Sequence, residues 1–574
     1  MAKFLLGLIA GVALTFLGIA LLGLLLAHFA GRPPQIADNS VLVLRLRGDI
    51  PEKAPLELPA MFGQGGPGLT VANVWMALRK AAADPRIKAA VLEPEDLSIG
   101  WARLEEMRAD VERFRKSGKP VFAYLRAPGT REYYVALAAD RIYLGPQEPL
   151  MLKGLRAETL SFKNTLDKIG VGVEVEHAGK YKDYGDMFTR PDMSPETREV
   201  LNTVVDGLYG NLAARIAAAR GKSPDEVRAI IDRGPFTAAQ ALQAGLVDEL
   251  RFEDEVWTAM SSRLRGAPTK VSIGAYVNAP APYAGAPARG RIALVVAEGD
   301  IVRGESGDSG SGEAALTSYG FDKVLSRVAG DSTIKAAIVR IDSPGGEVTA
   351  SDEIWRQMNL LSRKKPTVIS MSDVAASGGY YMAMTGDPIV ADAGTLTGSI
   401  GVVFGKPNLH GLYDKLGVTK NAIARGRHAD IDSDYTPLSP EERAILRQGI
   451  DDSYHDFVSK VAAARRRPFD DIEPLAQGRV WLGSQAAANG LVDQLGGLDA
   501  ALDLAKKRAG IPAAERVTVE IFPAPTSILD MLLRRQSPDD LLQARLASVF
   551  GGMPFHAWMK GGYLRLMPYW VDAH

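Results

Sequence analysis

The sequence predicts an α/β protein made of two tandem copies of one unit, each a mainly parallel sheet covered by helices, behind an N-terminal transmembrane helix. Three observations carry this. Segments recur at a nearly constant offset, short β-branched runs alternate with helical stretches, and one long uncharged run opens the chain.

The opening run, Phe4–Ala27, has 24 residues without charge and only Thr15 as a hydroxyl. At about 1.5 Å per residue it reaches roughly 36 Å, enough for a hydrocarbon core of about 30 Å. A cleaved leader normally has an apolar stretch of only about 7–15 residues, so a retained anchor over residues 1–32 is expected. No second run of that length follows, which leaves the rest of the chain on one side of the membrane.

The recurrence is the organising feature, and such periods are sought before motifs. Asp84–Val91 returns as Asp331–Ile338, Tyr133-Tyr134 as Tyr380-Tyr381, and Leu166–Val171 as Tyr413–Val418, each 247 residues later. Gly48-Asp49-Ile50 returns at an offset of 251, and Gly245–Asp248 at 245. The expected division is therefore a first repeat over 33–278, a Pro/Ala/Gly-rich linker over 279–290, a second repeat over 291–520 and a tail over 521–574. Strands are expected at Val41–Leu46, Ala89–Leu92 and Val121–Leu125, then at Ile292–Val296, Ala336–Ile341 and Thr367–Met371. Helices such as Val71–Ala82 and Phe321–Val328 lie between them, the spacing of parallel βαβ units. The amphipathic tail reads as a packing or oligomer-contact segment.

Composition removes several chemistries. Lys+Arg of 67 against Asp+Glu of 68 leaves a net charge of −1, without the basic excess of a nucleic-acid binder. Cysteine is absent, which excludes thiolate nucleophiles, disulfides and Cys-ligated metal.

The two copies differ where chemistry needs particular residues. Ser377-Gly378-Gly379 follows a strand in the second copy, whereas the first has Thr130-Arg131-Glu132. A Ser at a tight strand-to-helix turn suits a nucleophile, with helix-start amides facing the site. Asp342–Gly346 ends another strand on paired glycines, whose amides can stabilise an oxyanion; the first copy has Glu93–Asp96 there. None of the seven His sits in a recognisable triad context, so Lys is the candidate base. Lys182 aligns with Ala429, and Lys180 with Arg427. Thr130 to Lys182 and Ser377 to Ala429 are both 52 residues, as if an ancestral Ser/Lys pair had been divided between the copies.

At Asp342–Gly346, Asp373–Tyr381, Thr397–Val402 and Gly478–Asp493 the chain resembles the signal peptide peptidase A family, in its long, duplicated, membrane-anchored form. That resemblance implies a crotonase/ClpP-like fold and a Ser/Lys-dyad endopeptidase that degrades cleaved signal peptides. Ser377 would be the nucleophile, Lys182 the general base and Ser399 its assistant, with Gly346 and Gly378 amides as the oxyanion hole. No metal or cofactor is expected, and no nucleic acid. The partners would be hydrophobic peptides, the membrane, and further copies in a homo-oligomer such as a homotetramer. The location would be a bacterial inner membrane, single-pass, with the catalytic region periplasmic or extracytoplasmic.

The sequence departs from the family after Lys182, where it reads Asp183–Phe188, and a carboxylate facing the amine would hold it protonated. A free Lys ionises near 10.4, so a base at neutrality requires about 4 kcal/mol against the ammonium, which burial can supply. Two rivals remain at this stage: a membrane-anchored binding scaffold with a degenerate dyad, and acyl-CoA chemistry on a related fold.

Overall fold

The computed structural model describes residues 34–53, 69–280, 290–304, 315–524 and 562–567, with isolated positions at 7, 11, 15 and 18. The expected anchor, most of the linker and most of the tail lie outside these residues. Among the described residues no helix is long and apolar enough to cross a membrane.

The first repeat forms strands β1 (Ser40–Arg47), β2 (Ile87–Glu95), β3 (Val121–Leu125), β4 (Arg141–Leu144), β5 (Gly172–Ala178), β6 (Glu249–Leu250) and β7 (Thr269–Ser272). Six of them make one parallel sheet in the order β6-β4-β3-β2-β1-β7. Its central strands are largely apolar because helices cover both faces; β3, for example, is buried at all five positions. The helix Val71–Ala83 starts at Thr70, whose hydroxyl caps the Asn73 amide, and buries Val71, Val74, Trp75, Leu78 and Ala81 on one side.

The second repeat forms β8 (Arg291–Glu298), β9 (Ile301–Val302), β10 (Leu316–Thr317), β11 (Ile334–Ser343), β12 (Gly345–Glu347), β13 (Thr367–Ala376), β14 (Ile389–Ala391), β15 (Leu396–Gly398), β16 (Val402–Asn408), β17 (Val480–Leu482), β18 (Gln494–Leu495) and β19 (Thr518–Phe522). Its main sheet runs β17-β15-β13-β11-β8-β19, with β14 and β18 attached beside β13. β19 pairs with β8 as far as Phe522, two residues past the expected end of the repeat. The tail contributes a strand, β20 (Gly562–Leu566), where short amphipathic packing pieces were expected. It completes a third sheet, β10-β9-β12-β20-β16-β5.

That third sheet joins the two copies. β5 of the first repeat pairs antiparallel with β16 of the second, from Ala178↔Val402 to Gly172↔Asn408. A buried ion group reinforces the join. Arg340 of the second repeat, fully buried, reaches Glu52 Oε1 at 2.7 Å and also Glu106, both from the first. Ser370 and Ser372 hydroxyls complete the guanidinium's shell. Breaking such a group on one side costs about 3–5 kcal/mol, because the remaining charges stay buried. The repeats are thereby held in one register.

Candidate active site

β13 delivers Ser377 at its C-terminal end, directly before the short helix Gly378–Met382. Ser377 sits at φ 52° and ψ −113°, a strained backbone for a residue with a Cβ. The strain is held by two backbone bonds: Ser377 N donates to Gly398 O at 2.8 Å, and Tyr381 N donates to Ser377 O at 2.8 Å. The following glycines are sterically required. A methyl on Gly378 would fall 2.6 Å from Ser351 Oγ and 3.1 Å from the Gly346 nitrogen, and one on Gly379 would meet Ser343 O at 2.5 Å. Gly378 and Gly346, the two expected oxyanion donors, are therefore neighbours, and the first-turn amide of Gly378 has no intrahelical acceptor.

The general-base candidate arrives from the other repeat. Antiparallel pairing of β5 with β16 continues the chain past Ala178 toward Ser399, which precedes Val402 by three residues. Lys182 Nζ lies 2.8 Å from Ser377 Oγ, 2.9 Å from Ser399 Oγ and 3.0 Å from Ser399 O. All three residues are fully buried. The lysine is wedged by two glycines: a Cβ on Gly478 would meet Lys182 Cβ at 2.6 Å, and one on Gly401 would meet Lys182 Cδ at 3.0 Å. Tyr181 N donates to Gln477 O at 2.7 Å, so the backbone leading into Lys182 is tied to the second repeat. Ser377, Lys182, Ser399, Gly346 and Gly378 thus meet in one place. Lys180 does not join them; its half-exposed side chain turns toward Tyr181 and Glu199.

Asp183, adjacent to the base, has its own partners. Its Oδ2 accepts from Thr197 Oγ1 and from Ser194 Oγ, at the start of the helix Pro195–Arg220. Burial pushes its carboxyl up to about 6, against the hydrogen bond from Thr197.

A clamp that the motifs did not suggest holds the strand ends. Asp373, four residues before Ser377, docks on the N-terminus of the first repeat's helix Trp101–Lys116. Its Oδ2 accepts from Gly100 N at 2.9 Å and from Arg103 Nε, and its Oδ1 from Arg103 N at 2.9 Å. A Cβ on Gly100 would sit 2.3 Å from Asp373 Cγ. Asp342, at the end of β11, accepts from Val374 N at 2.9 Å and lies 3.9 Å from Arg103. Burial pushes its carboxyl up to about 7, with Arg103 opposing and Asp373, Glu52 and Glu298 adding to the rise. The helix N-terminus and the guanidinium are complementary to carboxylates, so the first repeat fixes the strands that present Ser377 and the glycine turn.

The equivalent place in the first repeat is filled by its own side chain. Glu132, which aligns with Gly379, accepts from Leu97 N at 2.6 Å and from Gly129 N at 2.8 Å. These amides stand at the counterparts of Pro344 and Ala376, so the carboxylate caps the helix Thr130–Ala136 and ties it to the chain just past β2. The signal was available as Glu132 against glycine, but its partner amides were not.

Two stretches of the chain, 113–266 and 359–512, match Peptidase family S49. The chain is 38% identical over 506 residues to the chloroplastic serine protease SPPA of Arabidopsis thaliana, covering 87% of this chain and 73% of that one. It is 33% identical over 474 residues to Protease 4 of Salmonella typhi, covering 80% and 74%. Among solved structures, a mutant of a membrane-bound stomatin-specific protease aligns with 42% of this chain and all of its own, at 18% identity and a TM-score of 0.26, too low to assign a shared fold. These matches define a serine peptidase, carried on an α/β fold. The chain belongs to peptidase family S49 and is a protease of the signal peptide peptidase A type.

The Asp183 carboxyl yields a stability prediction. Its folded value of about 6 exceeds the ordinary 3.8, so its contribution is most favourable below pH 3.8 and is lost as pH rises through 6. Asp183→Asn should raise unfolding stability by up to about 3 kcal/mol at pH 8 and by little at pH 4, measured by thermal melts at both.

Proposed function

We propose that the chain is an endopeptidase that cleaves hydrophobic peptides, released signal peptides among them, through a Ser377/Lys182 dyad on a crotonase/ClpP-like scaffold. The single observation that carries this is the buried 2.8 Å approach of Lys182 Nζ to Ser377 Oγ. Burial disfavours the ammonium form. A neutral amine has two hydrogens and one lone pair; Ser399 O and Oγ accept the hydrogens, which aims the lone pair at the Ser377 hydroxyl. Lys182 takes that proton as Oγ attacks the scissile carbonyl carbon, and the Gly346 and Gly378 amides hold the oxyanion. The lysine then protonates the leaving amine, and water activated by the same amine hydrolyses the acyl-enzyme.

Apolar substrates fit the neighbouring surface. Val403 on β16 packs with Tyr184, Phe188 and partly buried Phe162 and Met187. A peptide strand in register with Val403 would present alternate side chains to that cluster. The uncharged Phe4–Ala27 run supports a membrane anchor, with the catalytic region on the extracytoplasmic face of a bacterial inner membrane.

The duplication also supports a homo-oligomer such as a homotetramer. The equivalents of β5 and β16 in the other copy are 419–425 and 155–161, and neither forms a strand. Exposed apolar residues mark both places, Ile423 at 91% and Leu160 at 66%. Head-to-tail pairing of these two edges between copies would repeat the internal β5·β16 join and close a ring. Ile423→Asp should release lower-mass species in analytical ultracentrifugation; an unchanged mass would rule out this edge.

Ser377→Ala should abolish peptidase activity and labelling by a serine-directed phosphonate. Lys182→Ala should lower kcat by about a thousandfold or more and Ser399→Ala by about ten- to a hundredfold, with melting temperatures near wild type. Full activity in Lys182→Ala would sink the assignment. Absence of labelling in the wild type would favour the scaffold reading.

A further inference from the structure

β20 lies between two strands that do not otherwise touch in the sheet order. On one side it pairs antiparallel with β12, the glycine strand: Gly345↔Leu566, Gly346↔Arg565 and Glu347↔Leu564. On the other it pairs antiparallel with β16: Val403↔Leu564, Phe404↔Tyr563 and Gly405↔Gly562. Take β20 away and a slot one strand wide opens between β9-β12 and β16-β5. Its walls are the strand that carries an expected oxyanion donor and the strand that follows Ser399.

The register makes the occupancy specific. Met567 N donates to Pro344 O at 3.0 Å. Bonded pairs alternate along an antiparallel ladder, so Arg565 opposite Gly346 is the next bonded pair. The Gly346 amide that would hold a scissile carbonyl thus faces the carbonyl of Arg565. Met567 is buried at 4% exposure and joins the main core cluster, which anchors the segment.

We infer that this slot is the peptide-binding groove, that it takes an extended strand antiparallel to both walls, and that residues 562–567 of the chain's own tail occupy it as an intramolecular competitor. Peptide recognition by strand addition draws its affinity from main-chain hydrogen bonds and its selectivity from alternate side chains. The segment Gly562-Tyr563-Leu564-Arg565-Leu566-Met567 has the apolar character proposed for substrates. Because it is tethered, it competes at an effective concentration of about millimolar, and a substrate must displace it. The inference rests on the protease reading for its kinetic consequence, and on strand geometry alone for its binding consequence.

The test separates the two. The Leu564 amide faces β16 in the ladder, so Leu564→Pro removes a bond and disfavours the strand; Arg565→Pro breaks the Gly346 pair and serves as the second variant. In the full-length Ser377→Ala protein, a fluorescent peptide of residues 562–567 is titrated with and without each proline substitution. The expected result is at least tenfold tighter binding when the tail carries proline, and no binding of a peptide that itself carries proline at position 564. In the protein with Ser377 intact, both variants should lower KM at least fivefold with kcat within twofold, whereas a purely structural tail would lower the melting temperature and leave KM alone. Equal peptide affinity with and without the tail substitutions, or an unchanged KM in both variants, would overturn the inference. Peptide binding as expected without hydrolysis in any Ser377 protein would keep the groove and overturn the protease reading.

Discussion

Everything at the candidate site depends on one strand pairing, β5 with β16. It carries a segment of the first repeat into the second, and Lys182 reaches Ser377 because the chain continues from that pairing under Gly401 and Gly478. Without it Ser377 and the Lys182 amine belong to separate halves. With it the amine is enclosed within hydrogen-bond distance of Ser399 and of a Ser377 hydroxyl held in strained geometry. The Arg340 group and the Asp373 clamp serve the same end, since each crosses between repeats and each would leave buried charge behind if the halves shifted.

Duplication explains the division of labour. The second copy keeps the glycine turn and the Ser; the first keeps the Lys and has Glu132 in place of Gly379. Glu132 caps its own helix start where the second copy has Gly379, and the first copy supports the second through Arg103 and contributes Lys182.

Much of this was readable in the residues, for reasons that differ by scale. Strands such as Val121–Leu125 were plain because buried parallel strands are continuous apolar runs. The shared spacing of 52 residues pointed to Lys182 because relatives of one ancestral site keep their offsets. The cross-repeat register was not readable, since β pairing between distant segments leaves no local periodicity. Nothing in the local sequence marks Glu52, Glu106 and Arg340, and only the packing shows them buried together. Asp183 stands out in the sequence as a carboxylate beside the amine, and only the fold shows Ser194 and Thr197 turning it toward a helix start. The tail strand was missed because its five residues acquire a strand's geometry from β12 and β16 on either side, not from their own pattern.

The central claim is that a buried, neutral Lys182 activates Ser377. The most direct measurement is the pH dependence of the rate at which a serine-directed phosphonate modifies Ser377, in wild type and in Lys182→Ala. The account predicts a single ionisation with a midpoint well below the roughly 10.4 of a free lysine, and its disappearance in Lys182→Ala together with most of the rate. A midpoint near that free-lysine value, or a profile that survives loss of Lys182, would contradict it.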